Sequence, residues 1–162
     1  MNEYKLSENN WTRVAVFAGG DRGHYRTNFD CFVGVDRGSL WVLEEDLPLT
    51  LAVGDFDSVT ADERQLIQKR AQHFVQAQPE KDDTDLELAL LTIFEQNSQA
   101  QVTIFGALGG RIDHMLANVF LPSNPKLAPY MRQIAIEDGQ NVISYCPEGT
   151  SQLEPRSDYD YL

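Results

Sequence analysis

The sequence has few cysteines, few basic residues and no long apolar run. Its two cysteines, Cys31 and Cys146, lie far apart and form no CxxC pair, a pattern typical of reduced thiols in a cytoplasmic protein. No apolar stretch approaches the roughly 20 residues that span a bilayer. The polar start of the chain, MNEYKLSENN, lacks the apolar centre of a signal peptide. We therefore expect a soluble cytoplasmic protein with no membrane partner.

Positive charge is scarce. The 162 residues include 13 basic and 25 acidic side chains, which gives a formal net charge of −12 and a pI near 4.5. A nucleic-acid surface requires clustered Lys and Arg, so we expect no nucleic-acid partner. An anionic substrate would require a local basic group or a bridging metal cation. A hydrophobic content of 42% suits one globular domain with a small appendage.

Short apolar runs alternate with helical patterns along most of the chain. Two capping boxes, Thr60 with Glu63 and Thr84 with Glu87, mark helix starts. A third helical stripe runs from Ile112 to Phe120 and stops before Pro122. Continuous short runs fit strands covered on both faces, so the alternation predicts a doubly wound, mostly parallel α/β sheet. The predicted strands are Arg13–Ala18, Cys31–Val35, Leu51–Val53, His73–Ala77 and Gln101–Phe105.

The pattern changes after Pro129. Residues 132–146, RQIAIEDGQNVISYC, form two alternating runs around Asp138–Asn141, which predicts a β-hairpin. The tail, SQLEPRSDYDYL, also alternates. We therefore expect an α/β catalytic domain over residues 1–129, and over residues 130–162 the first strands of an all-β domain whose remainder is missing.

Carboxylates follow several of the predicted strands. GDFDSV places Asp55 and Asp57 directly after the third strand, and Asp36 follows the second. KDDTD, residues 81–85, lies at the start of a helix. Ligands of open α/β sheets bind beyond the carboxyl ends of the strands, and carboxylates that converge there repel each other unless a cation lies between them. Mg²⁺ prefers such oxygen ligands together with substrate phosphates. The alternative is that Asp57 or Ser58 is a turn residue or helix cap.

A glycine-rich turn, FGALGGRIDH, follows the fifth predicted strand. Gly106, Gly109 and Gly110 let the backbone approach a ligand, and the helix that begins near Arg111 directs free N–H groups towards the same place. The forked guanidinium of Arg111 suits phosphate. A plain tight turn between strand and helix would have a similar sequence, and His114 taken alone could be a surface histidine.

Three of these segments, GDFDSV, KDDTDLELAL and GALGGRIDHMLANV, resemble in order and spacing the signature blocks of the thiamine pyrophosphokinase (thiamine diphosphokinase) family. The resemblance extends from about Gly19 to Val119. It implies Mg²⁺-dependent transfer of a pyrophosphoryl group from ATP to the hydroxyl of thiamine, giving thiamine diphosphate and AMP. It also implies a homodimer whose α/β catalytic domain is followed by a β-sandwich that builds much of the thiamine pocket.

The resemblance assigns roles to individual residues. Asp55, Asp57 and Asp85 match the catalytic and metal-binding aspartates. One position departs from the family pattern, since Asp36-Arg37-Gly38 stands where the family usually has Asp-Gly-Gly. The residues expected to bind ATP or its phosphates are Gly19, Gly20, Asp36, Lys81, Asp82, Gly109, Gly110, Arg111, Asp113 and His114.

Two other functions are compatible with parts of the sequence. An apolar strand followed by Asp-Phe-Asp-Ser-Val also resembles the nucleophile motif of haloacid-dehalogenase-type phosphatases, in which Asp55 would form a phospho-aspartate. That motif normally opens the fold, whereas two strands precede it here, and the glycine-rich turn has no role in that scheme. A non-catalytic nucleotide-binding module is the other alternative.

Overall fold

The computed structural model describes residues 11–78, 82–153 and 157. No helix among these residues is long and apolar enough to cross a membrane. Short 3₁₀ helices at Leu121–Ser123 and Ala128–Gln133 connect the last α-helix to the last two strands. The strands are β1 (Arg13–Phe17), β2 (Cys31–Val35), β3 (Leu49–Gly54), β4 (His73–Gln76), β5 (Gln101–Phe105), β6 (Ile134–Glu137) and β7 (Val142–Ser144). The helices are α1 (Gly38–Glu44), α2 (Ala61–Arg70), α3 (Asp85–Gln96) and α4 (Ile112–Val119).

In the described part of the chain the strands form one sheet in the order β4-β3-β2-β1-β5-β6-β7. All neighbouring pairs are parallel except β6 and β7, which are antiparallel. The prediction of a mixed α/β fold with a mostly parallel sheet is confirmed. The chain runs outwards from β1 to β4 and then crosses to the other side of β1 at β5, so the carboxyl ends of β1 and β5 flank a change of winding direction.

The sheet is buried on both faces because alternate residues of its strands enter different cores. Val14 and Val16 of β1 pack with the apolar face of α3. Ala15 and Phe17 of the same strand pack on the opposite face with Leu40 of α1 and with α2. This two-sided burial explains why the central strands are continuous apolar runs in the sequence.

Both predicted capping boxes are present. Thr60 accepts a hydrogen bond from the backbone N–H of Glu63, Thr84 accepts one from Glu87, and each glutamate carboxylate accepts the backbone N–H of its threonine. Helix α1 was not predicted. Its N-cap, Arg37, makes no side-chain cap hydrogen bond, so the sequence carries no capping signal at its start.

The predicted hairpin forms, but its strands have an unexpected location. Ile136 of β6 pairs with Ile143 of β7, and β6 also lies parallel to β5, with Val102 beside Ile134. Residues 134–144 therefore extend the α/β sheet, whereas the sequence suggested the first strands of a separate all-β unit. Ile134 and Ile136 are buried in the main core, so β6 is packed as part of this sheet. The division of the chain at residues 129 and 130 stays a prediction.

Helix α4 is the predicted amphipathic helix, yet none of its residues is buried. Ile112, Leu116 and the adjacent Phe120 are exposed large apolar side chains. The helix is held by polar contacts instead. Asn118 donates its amide to the carbonyl of Ala107 at 2.9 Å, and the hydroxyl of Tyr145 donates to the carbonyl of Val119 at 2.9 Å.

Candidate active site

Three aspartates from three parts of the chain meet at the carboxyl edge of the sheet. Asp36 follows β2, Asp55 follows β3 and Asp85 is the first residue of α3. One carboxylate oxygen of each lies within 4.8 Å of those of the other two, and all three side chains are half-buried. We call these three residues the aspartate triad.

The turn after β3 is built around the Asp36 carboxylate. Asp36 has a left-handed backbone, with φ of 47°, and its Oδ1 accepts the backbone N–H of Phe56 at 3.0 Å. A Cβ atom on Gly54 would lie 2.0 Å from that same oxygen. Gly54 is therefore the residue that makes room for the carboxylate, since any side chain at position 54 would displace it.

Phe56 anchors the turn that carries the two neighbouring aspartates. Its backbone is also left-handed, with φ of 60°, and its ring is buried and stacked on Phe74 with centroids 4.6 Å apart. The backbone N–H of Asp57 donates to Oδ1 of Asp55 at 3.0 Å. Asp57 is exposed beside Asp55. A buried aromatic anchor between the two aspartates thus accounts for the spacing of GDFDSV.

Burial and mutual repulsion disturb the titration of these carboxyl groups. Burial, together with the charges of Asp85 and Asp55, raises the pKa of Asp36 to about 7, although the hydrogen bond from Phe56 acts in the opposite direction. The neighbouring charge of Asp55 also raises the pKa of Asp57. Clustered carboxylates with raised pKa values are stabilised by a cation placed among them. The triad is therefore suited in charge, ligand type and spacing to a divalent metal ion.

Further acidic residues lie just before and within the first turn of α3. The capping box of Thr84 and Glu87 fixes the first turn, with Thr84 Oγ1 accepting from Glu87 N at 3.2 Å. Asp82 is exposed, and Asp83 forms an ion pair with Lys126 at 2.6 Å. Lys81, expected to bind phosphate, lies outside the described residues.

Glycines bring the turns after β1 and β5 together. The backbone N–H of Gly20 donates to the carbonyl oxygen of Gly106 at 3.0 Å, and a Cβ on Gly20 would lie 2.3 Å from that oxygen. Gly106 has φ of 70°. Gly19 is exposed beside Gly20. These two turns lie where the winding of the sheet reverses, the usual position of a ligand in an open α/β sheet.

The second part of the glycine-rich turn is open to solvent. Gly109 and Gly110 have φ of 85° and 69°, and a Cβ on Gly110 would meet no atom within 4 Å. Arg111 and Asp113 form an ion pair at 2.6 Å between side chains that are 71% and 60% exposed. Their contact raises the pKa of Arg111 and lowers that of Asp113. His114 is exposed on the first turn of α4, so the turn presents its charged groups at the surface.

The sequence predicts Asp55, Asp57 and Asp85 as metal ligands and Asp36 as an ATP-binding residue. The structure brings Asp36 together with Asp55 and Asp85, while Asp57 is adjacent to Asp55. The metal-binding role of Asp57 stays a prediction. The signal for Asp36 was its position after a strand, but only the pairing of β2 with β3 brings it beside the turn that carries Asp55.

Comparison with known proteins identifies the family to which this chain is similar. The family described as "Thiamin pyrophosphokinase, catalytic domain" matches residues 23–131. The thiamine pyrophosphokinase of Bacillus subtilis (strain 168) is 35% identical over 155 residues, which cover 92% of this chain and 71% of the relative.

Two crystal structures extend the comparison. A thiamin pyrophosphokinase family protein from Enterococcus faecalis is 47% identical with a TM-score of 0.81, over 85% of this chain and 67% of that one. Thiamine pyrophosphokinase from Bacillus subtilis is 35% identical with a TM-score of 0.66, over 81% of this chain and 62% of that one.

The fold and the site together define a class of protein. A parallel α/β sheet with a carboxylate cluster and a glycine-rich turn at its carboxyl edge is typical of metal-assisted enzymes that act on phosphate groups. Within that class, the family match covers more than half of the chain. The chain belongs to the thiamine pyrophosphokinase family.

Proposed function

We propose that this protein transfers a pyrophosphoryl group from ATP to the hydroxyl of thiamine, giving thiamine diphosphate and AMP. Membership of the family supports the reaction and both substrates. The observation that carries the proposal in the structure is the aspartate triad, in which three carboxylates lie within 4.8 Å of one another at the edge of the sheet.

The proposed cofactor is Mg²⁺, held by Asp36, Asp55 and Asp85, with Asp57 beside Asp55 as a further ligand or catalytic group. Oxygen ligands and repelling carboxylates fit a hard divalent cation, and the space that Gly54 leaves for Asp36 supports a site shaped to hold that carboxylate. When bound, Mg²⁺ neutralises the phosphate oxygens of ATP and the negative field of the protein.

The residues of the chain have three tasks in this reaction. They hold ATP so that the thiamine oxygen can bond to the β-phosphorus in line with the departing oxygen of AMP, which leaves with the electron pair. A carboxylate of the site accepts the proton of the thiamine hydroxyl. Backbone N–H groups and Arg111 offset the negative charge that the phosphates carry.

We assign ATP phosphate binding to the two glycine turns. A Cβ on Gly110 would meet no atom within 4 Å, and one on Gly109 would meet only the Asp21 carboxylate, at 3.5 Å. Arg111 opens α4 with a forked cation. Lys81 and Asp82 stay candidates from the sequence at the start of α3. The other members of the proposed ATP site are Gly19, Gly20, Asp36, Asp113 and His114.

The family resemblance also supports a proposal for the larger assembly. We propose a Rossmann-like catalytic unit followed by a β-sandwich, and a homodimer in which thiamine binds near the subunit interface. The exposed apolar face of α4 supports a further contact there in the assembled protein. A cytoplasmic location, and the lack of membrane and nucleic-acid partners, stay predictions from the composition.

Incubation with ATP, Mg²⁺ and thiamine tests the reaction. We expect AMP and thiamine diphosphate in equal amounts, separated by chromatography, with loss of most turnover in folded Asp57→Asn and Asp85→Asn variants. Hydrolysis of a phosphate monoester through Asp55, or nucleotide binding without turnover, would contradict the proposal. Neither alternative is favoured by the comparisons.

A further inference from the structure

The segment after α4 is fixed to the body of the protein and reaches the start of α3. Leu121 and Leu127 are almost fully buried and belong to the same core as Leu86 and Leu90 of α3. Between these two anchors the chain turns at Asn124, whose carbonyl oxygen accepts the backbone N–H of Leu127 at 2.9 Å. Asn124 therefore lies in a turn that is held on both sides by buried leucines.

Every polar group of the Asn124 side chain has a partner. Its Oδ1 accepts the backbone N–H of Lys126 at 2.9 Å. Its Nδ2 donates to Oε1 of Glu87 at 2.9 Å and to Oδ1 of Asp83 at 3.2 Å. The orientation of the amide follows from these partners, because a backbone N–H can only donate and a carboxylate can only accept.

The two carboxylates bound by Asn124 flank Asp85 of the aspartate triad. Asp83 lies two residues before Asp85, and Glu87 lies two residues after it. Glu87 also uses Oε2 to accept the backbone N–H of Thr84 at 2.7 Å. Lys126 holds the second oxygen of Asp83 at 2.6 Å. The backbone on both sides of Asp85 is thus tied to the segment that carries Asn124.

These ties oppose a force that acts within the triad. The charges of the Asp36, Asp55 and Asp85 carboxylates repel one another, and Asp85 sits on the first turn of α3, whose backbone N–H groups have no partners within the helix. Hydrogen bonds to charged acceptors are among the stronger ones in proteins. Partners that orient metal ligands typically affect metal affinity about 10- to 100-fold.

We propose that Asn124 is a positioning residue for the divalent-cation site, which it serves by holding Asp83 and Glu87 and thereby keeping Asp85 within the triad. Lys126 assists it through Asp83. The inference rests on the proposed function only in that Asp85 binds the cation. It adds a residue from outside the three signature segments to the machinery of the site.

Mn²⁺ binding to the full chain tests this inference without reliance on turnover. Free Mn²⁺ is measured by electron paramagnetic resonance during titration of the parent, Asp85→Asn, Asn124→Ala and Asn97→Ala proteins. We expect Asn124→Ala to weaken Mn²⁺ binding about tenfold, and Lys126→Met to weaken it less because Lys126 is 58% exposed.

Asn97→Ala is a matched control at the opposite end of the same helix. Oδ1 of Asn97 accepts the backbone N–H of Gln99 at 2.9 Å, and its Nδ2 donates to the carbonyl of Trp11 at 2.8 Å. Asn97→Ala should lower thermal stability as much as Asn124→Ala does, but it should leave Mn²⁺ affinity unchanged.

The outcomes separate the two proposals. If Asp85→Asn weakens Mn²⁺ binding while a folded Asn124→Ala protein binds Mn²⁺ like the parent, the positioning role is wrong and the metal site stands. If the two asparagine variants weaken binding equally, the effect is one of general stability and the positioning role is again wrong. A parent protein that binds no Mn²⁺ would overturn both.

Discussion

Gly54 lies directly against the Asp36 carboxylate of the aspartate triad. A Cβ at this position would come within 2.0 Å of Asp36 Oδ1, so a methyl group and the carboxylate cannot occupy the same space. We expect Gly54→Ala to displace the Asp36 carboxylate. Turnover should then fall about tenfold or more, which is the size of effect typical when a metal ligand loses the partner that orients it.

Gly139→Ala is the control for that substitution. A Cβ on Gly139 would meet only the side chain of His24, at 3.2 Å, in the turn between β6 and β7. Circular dichroism of both variants establishes that they fold. Normal turnover in a folded Gly54→Ala protein would mean that Asp36 has no part in catalysis.

Arg111 provides a second test at the level of a single side chain. Its guanidinium faces solvent and contacts Asp113, so it is available to a phosphate that displaces this contact. Arg111→Lys keeps the charge and loses the fork. We expect the KM for ATP to rise about tenfold, the equivalent of one lost charged hydrogen bond of about 1.5 kcal/mol.

Arg132→Lys is the matched variant, because Arg132 contacts only Ser151 at 3.4 Å among its described hydrogen-bond partners. It should leave the KM for ATP unchanged. An unchanged KM in Arg111→Lys as well would return Arg111 to the status of an ordinary surface residue.

At the level of elements, the two capping boxes allow stability to be separated from function. Thr60 and Thr84 make the same pair of hydrogen bonds, with distances of 2.7 and 3.2 Å in each box. Replacing either threonine with alanine should cost about 1 kcal/mol of unfolding free energy. Because α3 begins with Asp85, only Thr84→Ala should also weaken Mn²⁺ binding and lower turnover. Urea unfolding and Mn²⁺ titration of the two variants test this, and equal effects on Mn²⁺ would contradict it.

The sequence predicted those elements that carry their own local signal. The central strands are continuous apolar runs, and α2 and α3 begin with capping boxes. Helix α1 has no such signal at Arg37. The hairpin was predicted, but its place beside β5 was not, because alternation specifies a strand pair and leaves open which sheet edge receives it.

The sequence predicted only part of the candidate site. Asp55 and Asp85 were found from their positions after a strand and at a helix start, and both lie in the triad. Asp36 was expected at the same edge of the sheet, but as an ATP-binding residue. Its proximity to Asp55 and Asp85 depends on the adjacency of β2 and β3 and on the left-handed turn at Phe56, and neither is encoded in a local pattern. Asn124 carries no sequence signal at all, since its partners are about 40 residues away in the chain.

For the whole molecule, acid stability depends in part on Asp30. Its carboxylate accepts hydrogen bonds from the Arg13 side chain at 3.0 Å and from the backbone N–H groups of Arg13 and Thr12 at 2.9 and 3.2 Å. These contacts lower the pKa of Asp30 well below its usual value. As the pH falls below about 4, the unfolded chain takes up this proton first, so unfolding becomes easier.

The stabilisation by Asp30 is therefore present above pH 4 and is lost as the pH falls further. Asp30→Asn should lower stability at neutral pH and flatten the decline of unfolding free energy between about pH 4 and pH 2. Arg13→Met should flatten the same part of the profile. Urea unfolding at several pH values provides the measurement, and an unaltered acid decline in both variants would contradict this assignment.

The exposed face of α4 should contribute little to the stability of a single chain. Ile112, Leu116 and Phe120 are 68%, 45% and 62% exposed, so Leu116→Gln should change unfolding free energy by about 0.5 kcal/mol or less. Leu90→Ala, in the core, should cost about 2–5 kcal/mol. If the proposed homodimer covers this face, sedimentation should detect weaker association of Leu116→Gln. A large loss of stability in the Leu116→Gln monomer would show that the face is buried within one chain.

The strand order also has a consequence for synthesis of the chain on the ribosome. On one side of the central strand β1, Val14 lies beside Cys31, but on the other side it lies beside Val102. Strands β1 to β4 and the whole aspartate triad emerge before β5, so during translation the central strand β1 has one unpaired apolar edge. Such an edge is prone to pair with other chains. Chaperone protection should therefore matter most in the interval before residues 101–105 leave the exit tunnel.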